Sequence, residues 1–348
     1  MRKASSVLPE AQNSHPLEPP ADVPEIQQGN WFTLPASDIV VEYLSANIWQ
    51  PSESPAAWEV ARLSSAAYIY REKATQWAAL AKFYAVKTGP DAEKHARREF
   101  ECTQKARASC LAEGSTRVVQ PLGVWRGVLF LEYVDGLTLE DIIAVRRNRP
   151  GTLTPSLERA AECLATLHAH GIELQEKPDF ETAIAYARKL IDNLSTYGVL
   201  QGEPVIRDGL LRAVDRWARQ PAMQDFVPAF IHGDATTSNF VFRWGDGLVV
   251  IDWERFKVAD PAADLGRLMA EVSHSVSQQG GDTIEAWPLI ERLADAYRRA
   301  LPSDWDADAL RERARFYQAS STLRIARNGW LSRLDRTALV AQALALLT

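Results

Sequence analysis

His232-Gly233-Asp234-Ala235-Thr236-Thr237-Ser238-Asn239, followed by Ile251-Asp252-Trp253, is the stretch on which the reading of this 348-residue chain turns. A carboxylate is followed five positions on by an amide and thirteen beyond that by a second carboxylate. The short apolar runs Ala229–Ile231, Phe240–Phe242 and Leu248–Ile251 flank these polar residues and read as β segments. The set therefore sits on one strand–loop–strand unit. Phosphoryl transfer from a metal-bound nucleotide needs such a set: one group orients the attacking hydroxyl, and two hard oxygen ligands hold Mg²⁺ on the phosphates. Asp234 is the candidate orienting base, with Asn239 and Asp252 as the candidate metal ligands. A loop aspartate capping backbone amides, a turn asparagine or a strand-end carboxylate would account for each residue singly. None of these accounts for all three at this spacing.

Composition agrees with a globular enzyme. Apolar residues make up 46% and charged residues 24%, ordinary values for a folded domain. A net charge of −6 supplies no electrostatic basis for nucleic acid or an anionic membrane as partner. Three cysteines, Cys102, Cys110 and Cys163, form no paired motif, and an odd count points to a reducing compartment. No apolar run has the length of a membrane span. A cytoplasmic location is expected.

Along the chain, residues 1–29 carry five prolines among polar residues, a composition that predicts a flexible tail. A helix is expected over 36–49, ended by Pro51 and Pro55. Trp58–Leu63, Ala67–Tyr70 and Leu80–Lys87 read as strands, and a charged helix follows over about 92–112. Val118–Trp125 and Val128–Tyr133 add two more strands. After Asp135-Gly136 the chain is mostly helical.

The two quoted motifs resemble the catalytic and metal-binding loops of the aminoglycoside phosphotransferases, choline kinases and related small-molecule kinases. Protein kinases carry His-Arg-Asp and Asp-Phe-Gly at these places. Gly233 in place of arginine, Asp252-Trp253-Glu254 in place of Asp-Phe-Gly, and Asp260-Pro261-Ala262-Ala263-Asp264-Leu265 are similar to the small-molecule branch. The resemblance implies an α+β, bilobal, protein-kinase-like fold. A small five-stranded antiparallel lobe, 30–134, would bind nucleotide. A larger, mainly helical lobe, 135–348, would carry catalysis, with helices over 172–231 shaping the acceptor site. The implied reaction is transfer of the γ-phosphate of ATP, with Mg²⁺, to a hydroxyl of a small molecule. A protein Ser/Thr kinase and a nucleotide-binding pseudokinase are the competing readings. The intervening helices and the lack of an Ala-Pro-Glu segment after Asp252 argue against the first.

The resemblance assigns further roles. Phe83-Tyr84-Ala85-Val86-Lys87 is similar to the Val-Ala-Ile-Lys strand of kinases, so Lys87 would bridge nucleotide phosphates, held by Glu99, with Glu101 and Glu93 as alternatives. Glu132 and Val134 would flank the adenine through backbone groups. No glycine lies between Gly29 and Gly89, so the phosphate loop falls to Ser64 and Ser65, whose hydroxyls donate hydrogen bonds. That substitution leaves ATP against GTP open. His232 is expected to brace the loop through backbone hydrogen bonds. His168 and His170 are read as helix-end caps, and Asp260 and Asp264 as loop braces. The arginines from Arg311 to Arg336, with Arg324 and Arg327 on one helix face, form either a solvated surface or a site for an anionic group of the acceptor.

Overall fold

A computed structural model describes residues 16–19, 31–49, 57–109, 111–170, 179–245 and 247–348. Most of the expected tail, Pro51, Pro55 and Cys110 lie outside the described residues. Two compact units divide the chain. The first comprises residues up to Gln104 with Gln120–Tyr133, and the second Lys105–Val119 with Val134–Thr348.

The first unit is built on an antiparallel sheet in the order β1-β2-β3-β4-β7-β6. Its strands are β1 (Phe32–Leu34), β2 (Trp58–Ser64), β3 (Ala67–Glu72), β4 (Ala78–Phe83), β6 (Pro121–Trp125) and β7 (Val128–Glu132); β5 belongs to the second unit. The sheet has six strands where five were expected. The added strand, β1, has only three residues, too few for alternation to be read in sequence. In β4 the side chains alternate, with Ala79, Ala81 and Phe83 buried. Lys82 therefore projects from the opposite face. Helix α1 (Ile39–Asn47) starts at Asp38, whose Oδ1 accepts from the amides of Val40 and Val41 at 2.9 and 3.0 Å, an N-cap that satisfies two orphan donors. Tyr43 of α1 stacks on Trp125 with ring centroids 4.6 Å apart. Leu17, within the expected tail, donates its amide to the Arg126 carbonyl at 2.8 Å and packs on this core.

The strand expected to end at Lys87 ends at Phe83. Phe83 pairs with Val128, the first residue of β7, and the Arg126-Gly127 turn precedes it with both residues at positive φ. Beyond that turn no ladder partner remains among the described residues, and the chain curls into the one-turn helix α2 (Ala85–Thr88) and then α3 (Ala92–Ser109).

The second unit holds a four-stranded sheet, β5-β11-β10-β8, and a two-stranded one, β12-β9. The strands are β5 (Thr116–Val118), β8 (Gly136–Thr138), β9 (Ala229–Ile231), β10 (Phe240–Arg243), β11 (Gly247–Val250) and β12 (Lys257–Ala259). Around them lie α4 (Leu139–Ala144), α5 (Leu153–Ala169), α6 (Glu181–Thr196), α7 (Pro204–Trp217), α8 (Ala262–Gln278), α9 (Thr283–Ala300), α10 (Ala307–Ala326) and α11 (Arg333–Leu347). The helical stretch expected over 306–346 with breaks is α10 and α11, separated by residues 327–332. A core of apolar side chains from α6, α7, α10 and α11 includes Leu190, Trp217, Phe316 and Val340. Helices α8 and α10 cross closely at Gly266, where a Cβ would lie 2.4 Å from the Ala314 carbonyl oxygen. This crossing brings α10 side chains next to α8 side chains that face the His232–Asn239 loop. No helix of the described residues is long and apolar enough to cross a membrane.

Candidate active site

The loop between β9 and β10 is held from beneath by one buried carboxylate. Asp264, near the start of α8, accepts the His232 amide on Oδ2 at 2.6 Å and the Gly233 amide on Oδ1 at 2.9 Å. His168 of α5 donates from Nε2 to the same Oδ2 at 3.2 Å, and its Nδ1 lies 2.6 Å from the Tyr297 hydroxyl. Burial by itself would raise the Asp264 pKa; the hydrogen bond and charge of His168, the nearby His232 and the Gly233 amide outweigh it and hold the carboxyl below its ordinary value. His168 is thus an internal strut and not a helix-end cap. It is fully buried. His170 does lie at the helix end, with Nδ1 2.8 Å from the Thr166 carbonyl. Asp260 accepts the Ala262 amide at 3.0 Å and pairs with buried Arg313 at 2.9 Å.

His232 crosses the loop. Its Nε2 lies 2.9 Å from the Ile251 carbonyl, which can only accept, so that nitrogen carries the proton. Nδ1 then accepts the Asp234 amide at 3.2 Å. The imidazole is a backbone staple between the two motifs, and Trp253 packs on it with ring centroids 4.5 Å apart. Gly233 has φ +80°, and a Cβ there would stand 2.3 Å from the Arg255 carbonyl oxygen. Only glycine fits this combination of left-handed backbone and close approach, which is the physical content of glycine at the second position of the motif.

The β10–β11 register brings the remaining polar residues to one end of a hairpin. Phe240 faces Val250, and the Ile251 amide donates to the Asn239 carbonyl at 3.0 Å. Asn239 and Asp252 therefore leave the ladder side by side. Asn239 donates its side-chain amide to the Asp234 carbonyl at 2.9 Å, which commits the nitrogen and leaves the oxygen as the end that can ligate. Asp252 has φ +66°, a backbone state that costs an L-residue energy and recurs at functional sites. One amide oxygen and one carboxylate form a hard-oxygen donor set that suits Mg²⁺, an ion that keeps several of its own waters.

Three guanidinium groups surround the Asp234 carboxylate. Arg324 of α10 donates to Oδ1 at 3.0 Å, Arg267 of α8 lies 3.4 Å from Oδ1, and Arg255 lies 3.6 Å from Oδ2. Arg267 also pairs with Glu271 at 2.9 Å. The C-terminal arginines are not one solvated face: Arg311 pairs with Glu291, Arg313 with Asp260, and Arg324 with Asp234. Arg267 and Arg255 were not singled out in the sequence. The available signal for Arg267 was its position three residues after Asp264, on the same face of α8 as the loop brace.

In the first unit, Lys82 and not Lys87 meets Glu99, with Nζ 2.7 Å from Oε1. Glu99 is buried on α3, and its other oxygen accepts the Tyr84 hydroxyl. Lys87 is exposed on α2, for the ladder reason given above. Of the alternatives, Glu101 is exposed and Glu93 accepts the Gly127 amide at 2.6 Å. Ser64 and Ser65 form the exposed end of the β2–β3 hairpin. Glu132 ends β7 and accepts the Gln120 amide at 2.6 Å. Val134 lies just past that strand, in the second unit.

A sequence model of the phosphotransferase enzyme family matches residues 70–317. The chain belongs to that family. It is a member of the small-molecule kinase superfamily that contains the aminoglycoside phosphotransferases and choline kinases, whose fold is protein-kinase-like. ATP and Mg²⁺ are typical of this superfamily. No curated protein sequence matches the chain. Among solved structures, the streptomycin–ATP ternary complex of APH(2")-IIa is 14% identical, with TM-score 0.54, 90% of this chain and 96% of that one covered. The choline kinase LicA from Streptococcus pneumoniae is 16% identical, with TM-score 0.53 and coverages of 88% and 98%. ADP-bound aminoglycoside phosphotransferase APH(2'')-Ib is 15% identical, with TM-score 0.53 and coverages of 89% and 97%. At these identities the likeness is one of fold.

Proposed function

We propose that this phosphotransferase moves the γ-phosphoryl group of ATP to a hydroxyl of a small molecule, with Asp234 as the orienting base. The observation that carries the reading is the stapled loop: one carboxylate, Asp264, and one imidazole, His232, fix the backbone that presents Asp234, Asn239 and Asp252. Catalysis of this kind is positioning and charge neutralisation more than covalent chemistry. Asp234 accepts a hydrogen bond from the acceptor hydroxyl and aims its lone pair at phosphorus. As the new O–P bond forms and the bond from the γ-phosphorus to its bridging oxygen breaks, the electron pair leaves with ADP and the hydroxyl proton passes to Asp234. Asn239 and Asp252 would hold Mg²⁺, which when bound neutralises charge on the phosphate oxygens. Lys82, oriented by Glu99, is the phosphate-binding lysine of this reading.

Two experiments test it. In the first, the purified chain is incubated with ATP and Mg²⁺ against a panel of small hydroxyl compounds and peptides. A mass gain of one phosphoryl group on a small molecule is expected; gain on peptides alone would replace the reading with a protein kinase. The second compares two lysines. Lys82→Met is expected to raise the KM for ATP by about tenfold or more, the loss of one charge-assisted contact, whereas Lys87→Met leaves it unchanged. The reverse ranking would return the role to Lys87.

A further inference from the structure

We propose that the acceptor carries an anionic group, a carboxylate or a phosphate monoester, that Arg324 and Arg267 hold beside Asp234. The inference rests on the phosphotransferase reading and names its substrate class.

The local charge is the first ground. Arg255, Arg267 and Arg324 converge on Asp234; Glu271 pairs with Arg267 at 2.9 Å and Glu254 with Arg255 at 3.5 Å, so among the described residues Arg324 has no paired acid besides Asp234. Glu140 neighbours Glu271 and His274, and burial raises the pKa of both glutamates. A cationic acceptor brought to Asp234 would meet these guanidiniums at close range in a partly desolvated site, where like charges repel strongly.

The second ground is an unfilled donor set. The Arg267 side chain is only 10% exposed, and its Nε and Nη1 are shut from solvent and have no hydrogen-bond partner among the described residues. Buried donors are nearly always satisfied, and a guanidinium with two open donors is matched by a planar or tetrahedral oxyanion. Burial also lowers the Arg267 pKa, opposed by Glu271, so its charge is held at a cost that an added anion would relieve. Arg324 is the accessible member, at 22% side-chain exposure.

The third ground is the carboxylate itself. Arg324 occupies Oδ1 of Asp234 at 3.0 Å. An orienting base needs a lone pair for the acceptor hydroxyl. An anion on the acceptor gives Arg324 and Arg267 a second acceptor and draws them from Asp234 as the hydroxyl arrives.

The test uses the full chain with ATP, Mg²⁺ and matched sets of hydroxyl compounds. Gluconate and related hydroxycarboxylates form one arm and glycerol 3-phosphate and other phosphate monoesters a second. Their neutral parents and cationic compounds such as choline form the third and fourth. A gain of one phosphoryl group in the first or second arm is expected, and the arm identifies the anion. On the compound so found, Arg324→Gln should raise KM by about tenfold to a hundredfold, the usual loss of a hydrogen-bonded charge, with the KM for ATP unchanged. Calorimetry of acceptor binding without ATP should show the same fold loss, and Arg324→Lys should recover part of it. An unchanged melting transition excludes misfolding of the variant. Gain confined to the neutral or cationic arms overturns the substrate class and leaves the phosphotransferase reading standing. So does a fall in kcat at constant acceptor KM, which would make Arg324 a positioning residue for Asp234 alone. Gain in none of the arms removes the phosphotransferase reading, and this inference with it.

Discussion

Asp234→Asn keeps the fold and the binding of ATP with Mg²⁺ while lowering turnover at least about a hundredfold, the usual share of a positioned base. The substitution is nearly isosteric and leaves the Asp234 backbone amide on His232 and its carbonyl on Asn239 in place. The loop therefore stays stapled. What is lost is the negative charge that orients the acceptor hydroxyl and takes its proton. Arg267 retains Glu271 at 2.9 Å, so no buried guanidinium loses its last acid. Steady-state kinetics on the acceptor, with nucleotide binding measured separately, separate the two effects. Turnover near that of the unmodified chain would remove Asp234 from the role.

Asp264→Ala acts on stability. It removes the single carboxylate that accepts from the His232 amide, the Gly233 amide and His168 Nε2. Three buried donors are left without their partner, and the expected loss is about 3–5 kcal/mol, or a fall in the unfolding midpoint of roughly ten degrees. Asp264→Asn gives little relief. One of its two terminal atoms is an NH₂, which would face a donor at Oδ1 or at Oδ2. The pH dependence has a definite sign. The folded-state pKa of Asp264 lies below the ordinary 3.8, so its stabilisation is fully present above that value and is lost as pH falls through the lower folded value. The stability gap between the unmodified chain and Asp264→Ala should therefore close below about pH 4 in denaturant titrations. A gap of constant size down to pH 2 would show that Asp264 is not held as a carboxylate.

The helices and strands that surround the motifs were largely legible in the sequence because their signals are local. Trp58–Ser64 and Ala67–Glu72 alternate around a turn, and Thr283–Ala300 begins at a capping aspartate whose Oδ1 accepts the Glu285 amide at 2.8 Å. The three-residue strand β1 was missed because its pairing with β2 is the whole of its evidence. The strand expected to carry the nucleotide lysine was overrun because its end is set by a turn more than forty residues later, at Arg126-Gly127. The sequence reading placed the lysine at Lys87, whereas the ladder sets Lys82 against Glu99.

By itself, the sequence determined the family and the fold, because the order and spacing of His232-Gly233-Asp234, Asn239 and Asp252 follow from one local loop and hairpin. Tertiary structure alone decided what surrounds Asp234. Arg324 stands 90 residues away along the chain, on a helix with few sequence signals of direction, and reaches Oδ1 because α10 crosses α8 closely at Gly266. Spacing along a chain encodes contacts within a turn or two of backbone; contacts between distant helices depend on how side chains of both interlock, and no single segment carries that information.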